Sequence, residues 1–547
     1  MRHVHEGLLV FALAVPAAAQ APPGPADGSL SVTQEAEFFA PGVEKDDYFG
    51  WAGAVSHDTA VVGAPDFDVG AEFDAGAAWV WVRSGATWTL QAQLTASNGT
   101  FDDVFGSAVD IAGDTIAIGA RWSEGGGFVN GGSVYIYVRN GTSWTEQAQL
   151  VPKDVHELGE FGAVVALSGN TLLVGVPSDD TQGDQAGAAY VFTRTGSTWR
   201  EQAKLIAPDI DSGDHFGVSI DVSGGTAIIG APNENHGGFG AEGAAYVYVR
   251  QGTSWTLQSK LIGPPATITS DHFGSAVAVW RNVAVVGSPD DHVGPVGIGS
   301  AHVFLRQGSV WTHQQMLTAA DPDDADEFGS AVDVQGDIVS VGAVEGDFPG
   351  FSTPTNVGEI FAFVRDGDSW TQQANIFASD ATKDDDFSGD ISLWNDTLLS
   401  TAWLHDLGFM LPNAGSAYVF RLAGAFNDLG SGLHGALGIP TLTGTGSLEP
   451  GSAGTLTLTE AATSAPAALL MSFQQAALPL AGGTLVPFPY LVLVPLSTDH
   501  EGETAVEWHT WPSDLSSGTS IFVQCAVHDA AAPAGIALSN ALRVDVP

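Results

Sequence analysis

The dipeptide Phe-Gly recurs along most of this chain at a nearly constant interval. It stands at Phe49-Gly50, Phe105-Gly106, Phe161-Gly162, Phe216-Gly217, Phe273-Gly274 and Phe328-Gly329, with Phe387-Ser388 as an altered seventh copy. Successive Phe residues lie 56, 56, 55, 57, 55 and 59 positions apart. A second glycine follows each of the first six Phe residues by 14 positions, opening Gly63-Ala64-Pro65, Gly119-Ala120-Arg121, Gly175-Val176-Pro177, Gly230-Ala231-Pro232, Gly287-Ser288-Pro289 and Gly342-Ala343-Val344. Marks held in register over seven copies define a repeat architecture, in which each unit buries its apolar surface against its neighbours.

Each copy reads as four short strands. The first, as in FGSAVDIA, runs to a tight turn such as Gly113-Asp114 or Gly169-Asn170, residue types that tolerate the positive φ of two-residue hairpins. The second, as in TIAIGA, ends in a Gly/Pro-rich loop. The third is an aromatic, β-branched run such as GSVYIYVR, and the fourth is the SWTEQAQL segment after Asn140-Gly141. No amphipathic helical period interrupts them. Seven four-stranded units predict an all-β fold, a seven-bladed β-propeller over residues 31–422. A solenoid is the rival, but it needs capping repeats at both ends. Residues 31–40 look like a fourth strand without its first three: Val32, Thr33, Ala36 and Phe38 align with Trp144, Thr145, Ala148 and Leu150. The seventh copy ends at GSAYVFRL, Gly415 to Leu422, with no Trp strand of its own. Joining the two predicts an N-terminal latch strand that completes the last blade and closes the ring.

The Phe-Gly and Gly-Ala-Pro pair resembles the FG-GAP repeat family, which includes the integrin α-subunit propeller. That resemblance implies a propeller used mainly for extracellular recognition and adhesion. Integrin-type repeats often carry a calcium loop of the Asp-x-Asp-x-Asp-Gly kind between the first two strands. Here that connection is only a turn such as Gly113-Asp114 or Gly336-Asp337, so the family's metal site is not carried over.

Residues 1–20 have the form of a secretory signal: Arg2, an apolar stretch from Gly7 to Val15, then Ala17-Ala18-Ala19. No later run is long and apolar enough to be read as a membrane span. With 17 Lys plus Arg against 63 Asp plus Glu, the net charge of −46 disfavours nucleic acid and anionic lipid as partners. Cys525 is the sole cysteine, so no intrachain disulfide forms. Past a Gly-rich hinge at 423–433, residues 434–547 read as a small β-sandwich. Through LGSGLHG, GIPTLTGTGSL and GIALSNALRV it resembles a domain appended to secreted bacterial proteins of the planctomycete type. His509 and His528 beside Cys525 read as strand residues rather than metal ligands.

Strand alternation places the fourth-to-first and second-to-third loops on one face of the disc. Those loops are acidic: PDFDVGAEFD (65–74), PSDDTQGDQ (177–185), APDIDSGDHFG (207–217) and ADPDDADEFG (320–329). Two residues before the repeated Phe stand Asp47, Asp103, Asp214, Asp271, Asp326 and Asp385, where a carboxylate can accept backbone N–H groups in the turn. Asp209, Asp211 and Asp214, and likewise Asp321, Asp323 and Asp326, gather three carboxylates within six residues, as calcium ligands require; solvated acidic turns are the alternative. His215 and His272 share a slot that varies freely among copies, so they read as loop substitutions rather than general bases. The Trp series (Trp88, Trp144, Trp199, Trp255, Trp311, Trp370) reads as packing between blades. On the opposite face Arg83, Arg139, Arg194, Arg250, Arg306 and Arg365 end the third strands. No catalytic motif is present. The reading is a secreted or cell-surface, monomeric, non-enzymatic recognition protein for an extracellular protein or glycan ligand. The alternative is an extracellular hydrolase or lyase with its site in the propeller channel.

Overall fold

A computed structural model describes residues 30–423, apart from 86, 237–239, 265–270, 293–297, 321–326, 347–356, 367–368, 381–384 and 407–412, and the strands of 426–545 with their immediate flanks. The signal-like segment 1–20, Asp321, Asp323, Asp326 and His509 lie outside the described residues. Seven antiparallel sheets of four strands account for residues 31–423, and no α-helix occurs among the described residues. In blade two the strands are Phe105–Ala112, Thr115–Ala120, Ser133–Asn140 and Ser143–Leu150, paired in chain order. Blade seven differs. Its three chain-consecutive strands, Phe387–Trp394, Thr397–Ala402 and Ser416–Ala423, carry the N-terminal strand Ser31–Phe38 as the fourth, antiparallel to Ser416–Ala423. First strands of successive blades touch in order, and Gly53–Ser56 of blade one touches Phe387–Trp394 of blade seven.

Packing follows from the repeat. Every second strand is buried along its whole length in blades one to five, as a strand with sheets on both sides must be. The repeated Phe residues (49, 105, 161, 216, 273, 328 and 387) are at most 2% exposed. Each lies edge-on to rings of its own third strand, as Phe105 does to Tyr135 and Tyr137. The following Gly has φ near +90° to +100° (97° at Gly106), a conformation that disfavours any side chain. Its carbonyl presses on the glycine of the preceding blade: a Cβ on Gly119 would sit 2.0 Å from the Gly162 oxygen. Both glycines of the motif thus serve one close contact between blades.

Three polar devices stitch the seams. Arg139 reaches back one blade to donate to Thr59 Oγ1 at 2.9 Å, and Arg194, Arg250 and Arg306 do the same to Thr115, Thr171 and Thr226. These arginines therefore bond protein rather than forming a free basic face. Each fourth strand carries a β-bulge at one place, where the extra residue is Gln91, Gln147, Gln202, Gln258 or Gln314. The bulge aims that amide at the next blade, where it accepts the indole N–H of Trp144, Trp199, Trp255, Trp311 or Trp370 at 2.9–3.1 Å. The tryptophans are inter-blade residues.

The third device lies innermost. The first strand of a blade has no partner on its channel side, so its N–H groups there need acceptors. Asp221 accepts Val222 N–H of its own strand and Val279 N–H of the next blade, both at 2.6 Å. Asp110 serves Ile111 and Leu167 in the same way, and Asp333 serves Val334 and Leu393. One carboxylate thus satisfies two blades, and the intervening blades hold Ala166 and Ala278 at that position. Seven is odd, and the last seam is served by Ser392 to Val55 and Asp390 to Gly53.

Beyond residue 425 a five-stranded sheet (Phe426–Asp428, Ile536–Asp545, Ser520–His528, Pro466–Ser472, Val492–Ser497) and a three-stranded sheet (Thr441–Gly446, Gly454–Thr459, Thr504–Trp508) share one core. Leu442 and Leu458 of one meet Leu469, Val523 and Leu542 of the other. Phe426–Asp428 falls within the segment read as a hinge. Burial pushes the Cys525 thiol up to about 12, which keeps it a core group rather than a nucleophile.

Candidate recognition face

The fourth-to-first and second-to-third loops converge on one face, and local turn chemistry shapes them. The carboxylates of Asp47, Asp103 and Asp214 accept the backbone N–H three residues earlier, from Glu44, Thr100 and Asp211, at 2.5, 2.8 and 2.7 Å. Burial, set against those bonds, pushes Asp47 to about 6 and raises Asp103 and Asp214. The residue just before the Phe has φ of +50° to +55° in all seven blades: Tyr48, Val104, Glu160, His215, His272, Glu327 and Asp386. The slot is defined by its backbone, which is why its side chains vary. His215 lies against Gln185 and Asn233, and His272 against Asp290.

A polar node recurs where the two loops meet the sheet. In blade three, Lys204 Nζ lies 2.7 Å from Asp179 and 2.9 Å from Asp154, beneath the Tyr190 ring. Blade four repeats it: Lys260 Nζ lies 2.7 Å from Glu234 and 2.8 Å from Asp209, while Tyr246 donates to Asp209 at 3.0 Å. Burial alone would raise these aspartates, but the ammonium groups more than offset it and hold Asp179, Asp154 and Asp209 below the usual range.

Of the aspartates read as calcium ligands, Asp209 is therefore engaged with Lys260 and Tyr246, and Asp214 with the Asp211 N–H. A calcium ion at Asp209 must compete with an ammonium. Among the described residues one set of three brings metal-ligating atoms within 4.8 Å of one another: Glu37, Asp380 and His405. Raised carboxyls also line the channel, with Asp110 pushed by burial to about 8, Asp333 to about 7, and Asp221 and Asp390 to about 6. Backbone N–H groups engage both oxygens of each, with Ile391 N–H taking the second oxygen of Asp390.

Among the described residues, the loops also expose large apolar side chains, mostly at three consecutive seams. Phe39 (45% exposed) lies at the seam of blades seven and one, and Phe73 and Phe101 (61% each) at the next. Phe128 (44%), Val129 (52%) and Leu158 (59%) lie around the seam of blades two and three. Asp102 N–H bonds Phe73 O, and Leu158 N–H bonds Val129 O, so each seam joins two loops directly. Elsewhere on this face, among the described residues, Ile262 and Met316 are the comparable groups. The arc lies in acidic surroundings: Asp74, Asp102, Glu124 and Glu157 adjoin it in sequence.

No curated protein matches the chain. Among solved structures it is similar to a chain from an S. cerevisiae assembly of dbp5 with nup159, gle1, IP6 and ADP, at 9% identity and a TM-score of 0.37, covering 72% of this chain and 96% of that one. The family model for the FG-GAP repeat matches seven times, at residues 32–81, 88–137, 144–192, 199–248, 255–304, 311–363 and 370–420. Each segment runs from the fourth strand of one sheet through the first three strands of the next; together they cover more than half of the sequence, and the chain belongs to the FG-GAP repeat family.

Proposed function

We propose that this is a secreted, non-enzymatic recognition protein that binds a protein partner through the loop face of blades seven, one, two and three. The exposed arc of Phe39, Phe73, Phe101, Phe128, Val129 and Leu158 carries the reading. Aromatic groups left in water on a rigid scaffold are the usual anchors of binding energy, and a cluster of them on one face marks an interaction surface. The surrounding carboxylates select partners whose apolar contacts are flanked by lysine or arginine, and they speed encounter at low salt. FG-GAP propellers serve extracellular recognition in general, and the signal-like N-terminus agrees with export. A hydrolase or lyase site in the channel is disfavoured because the carboxylates there are committed to the seams.

An array of extracellular proteins and glycans, probed with the full chain and with Phe73→Ser/Phe101→Ser, tests this. The expected result is protein binding that falls at least tenfold in the double variant and weakens with added salt. Binding that is indifferent to both changes, or a glycan-only response, contradicts the proposal.

A further inference from the structure

The node described for blades three and four has a counterpart in blade seven with altered charges. Strand register puts Lys204 opposite Tyr190 and Lys260 opposite Tyr246, and it puts Glu37 of the N-terminal strand opposite Tyr418. In the second-to-third loops, Asp179, Glu234 and His405 close the same turn, each N–H bonding the carbonyl three residues back at 3.1–3.2 Å. Asp380 follows its fourth strand as Asp154 and Asp209 follow theirs. Blade seven therefore keeps the tyrosine and the loop aspartate but replaces the lysine with Glu37 and the second acid with His405. Where two blades place an ammonium among carboxylates, this one converges two carboxylates and an imidazole.

Other groups around it answer to the missing cation. Tyr418 is fully buried beside Asp380 and Glu37, as Tyr190 and Tyr246 lie beside their loop aspartates at 3.0 Å, but with no ammonium among the carboxylates. Glu37 Oε1 is buried beside Asp380 and Tyr418. His405, only 6% exposed, has Nδ1 3.1 Å from Asp385 and Nε2 3.8 Å from Asp380. A carboxylate behind one ring nitrogen, with the other nitrogen facing further carboxylates, is the arrangement that orients a metal-bound histidine. We propose that blade seven binds one divalent cation of the zinc class through Glu37, Asp380 and His405. The mixed nitrogen and oxygen donors favour zinc over calcium, which prefers six to eight oxygens. Its ligands come from the N-terminal strand, the loop from blade six and the loop within blade seven. The ion thus ties the first strand of the chain to the last blade, as the lysines tie their own blades.

The test uses the full chain, stripped with EDTA and dialysed against zinc, calcium or magnesium at constant ionic strength. Metal content and thermal melting are both read. The expected result is one tightly held zinc per chain and a rise in melting temperature that EDTA reverses. Glu37→Gln should weaken zinc at least tenfold. Glu37→Lys rebuilds the node of blades three and four, so it should lose the stoichiometric zinc yet melt no lower than the metal-free parent. Absence of a stoichiometric zinc in the parent overturns the proposal. So does zinc binding unchanged by Glu37→Lys, which would mark an adventitious ion on the acidic loops only.

Discussion

Trp88 of blade one donates its indole N–H to Glu35 of the N-terminal strand across 3.3 Å. Glu35 is the bulged residue of that strand, the place held by Gln91, Gln147, Gln202, Gln258 and Gln314 in the others. It also lies 3.4 Å from Arg83 and 3.6 Å from Arg421. The first strand of the chain therefore meets blade one as the fourth strands of blades one to five meet their successors.

Removing that side chain should cost stability. Glu35→Ala leaves the Trp88 N–H without its acceptor and takes an anion from two largely buried arginines, a loss of about 1–3 kcal/mol. Glu35→Gln supplies the residue used at the other seams and should cost less. Urea midpoints of the propeller transition measure both, and equal effects would show that the bond to Trp88 contributes nothing.

Channel carboxylates set a pH dependence with a definite sign. Asp110, Asp221, Asp333 and Asp390 have folded values of about 8, 6, 7 and 6, all above the ordinary range near 4. Between about pH 4 and 8 the folded chain holds protons that the unfolded chain has released, so these groups favour folding more as pH falls. Asp154, Asp179 and Asp209 are depressed by their lysines and act oppositely: their stabilisation is lost as pH falls through their folded values. The melting temperature should rise from pH 8 to about 5 and then drop below about pH 4. Asp110→Asn/Asp333→Asn should flatten the upper limb; a parent that is most stable at pH 8 would contradict this assignment.

The lysine nodes govern calcium at the 207–217 loop. With Lys260 on Asp209, calcium should stabilise the parent only weakly at matched ionic strength. Lys260→Met frees Asp209 beside Asp211 and Asp214, so it should melt lower without calcium and gain more from it. No added calcium response in the variant would show that these three carboxylates do not form a calcium site.

Much of the blade was legible because its constraints repeat. Phe-Gly and the later glycine mark one backbone contact, and every copy except the seventh keeps both, with Ser388 and Thr401 standing in their places. The side chains of the slot that holds His215 and His272 vary freely, and the constraint on it, a positive φ before each Phe, is not visible in side-chain identity. The Gln three residues after each Trp, and Glu35 three residues after Val32, are in view in the sequence, but their role depends on a bulge that alternation alone does not reveal. Alternating Ala and Asp five residues after the Phe was likewise present, yet only strand order shows one carboxylate serving two blades. Exposure was least legible: Phe67 packs against Trp79 while Phe73, six residues on in the same loop, faces water. Composition does not distinguish them.

The most direct test of the account is a chain lacking residues 30–38, compared with the parent by thermal melting and by light scattering. Without that strand, Ser416–Ala423 presents an unpaired edge, Trp88 and Arg83 lose Glu35, and blade one loses the packing of Phe38 on Trp81. The shortened chain should melt well below the parent or aggregate, and a peptide of sequence SVTQEAEF added in trans should partly restore it. A shortened chain that stays monomeric and melts with the parent would contradict the assignment of the N-terminal strand as the closing element of the ring.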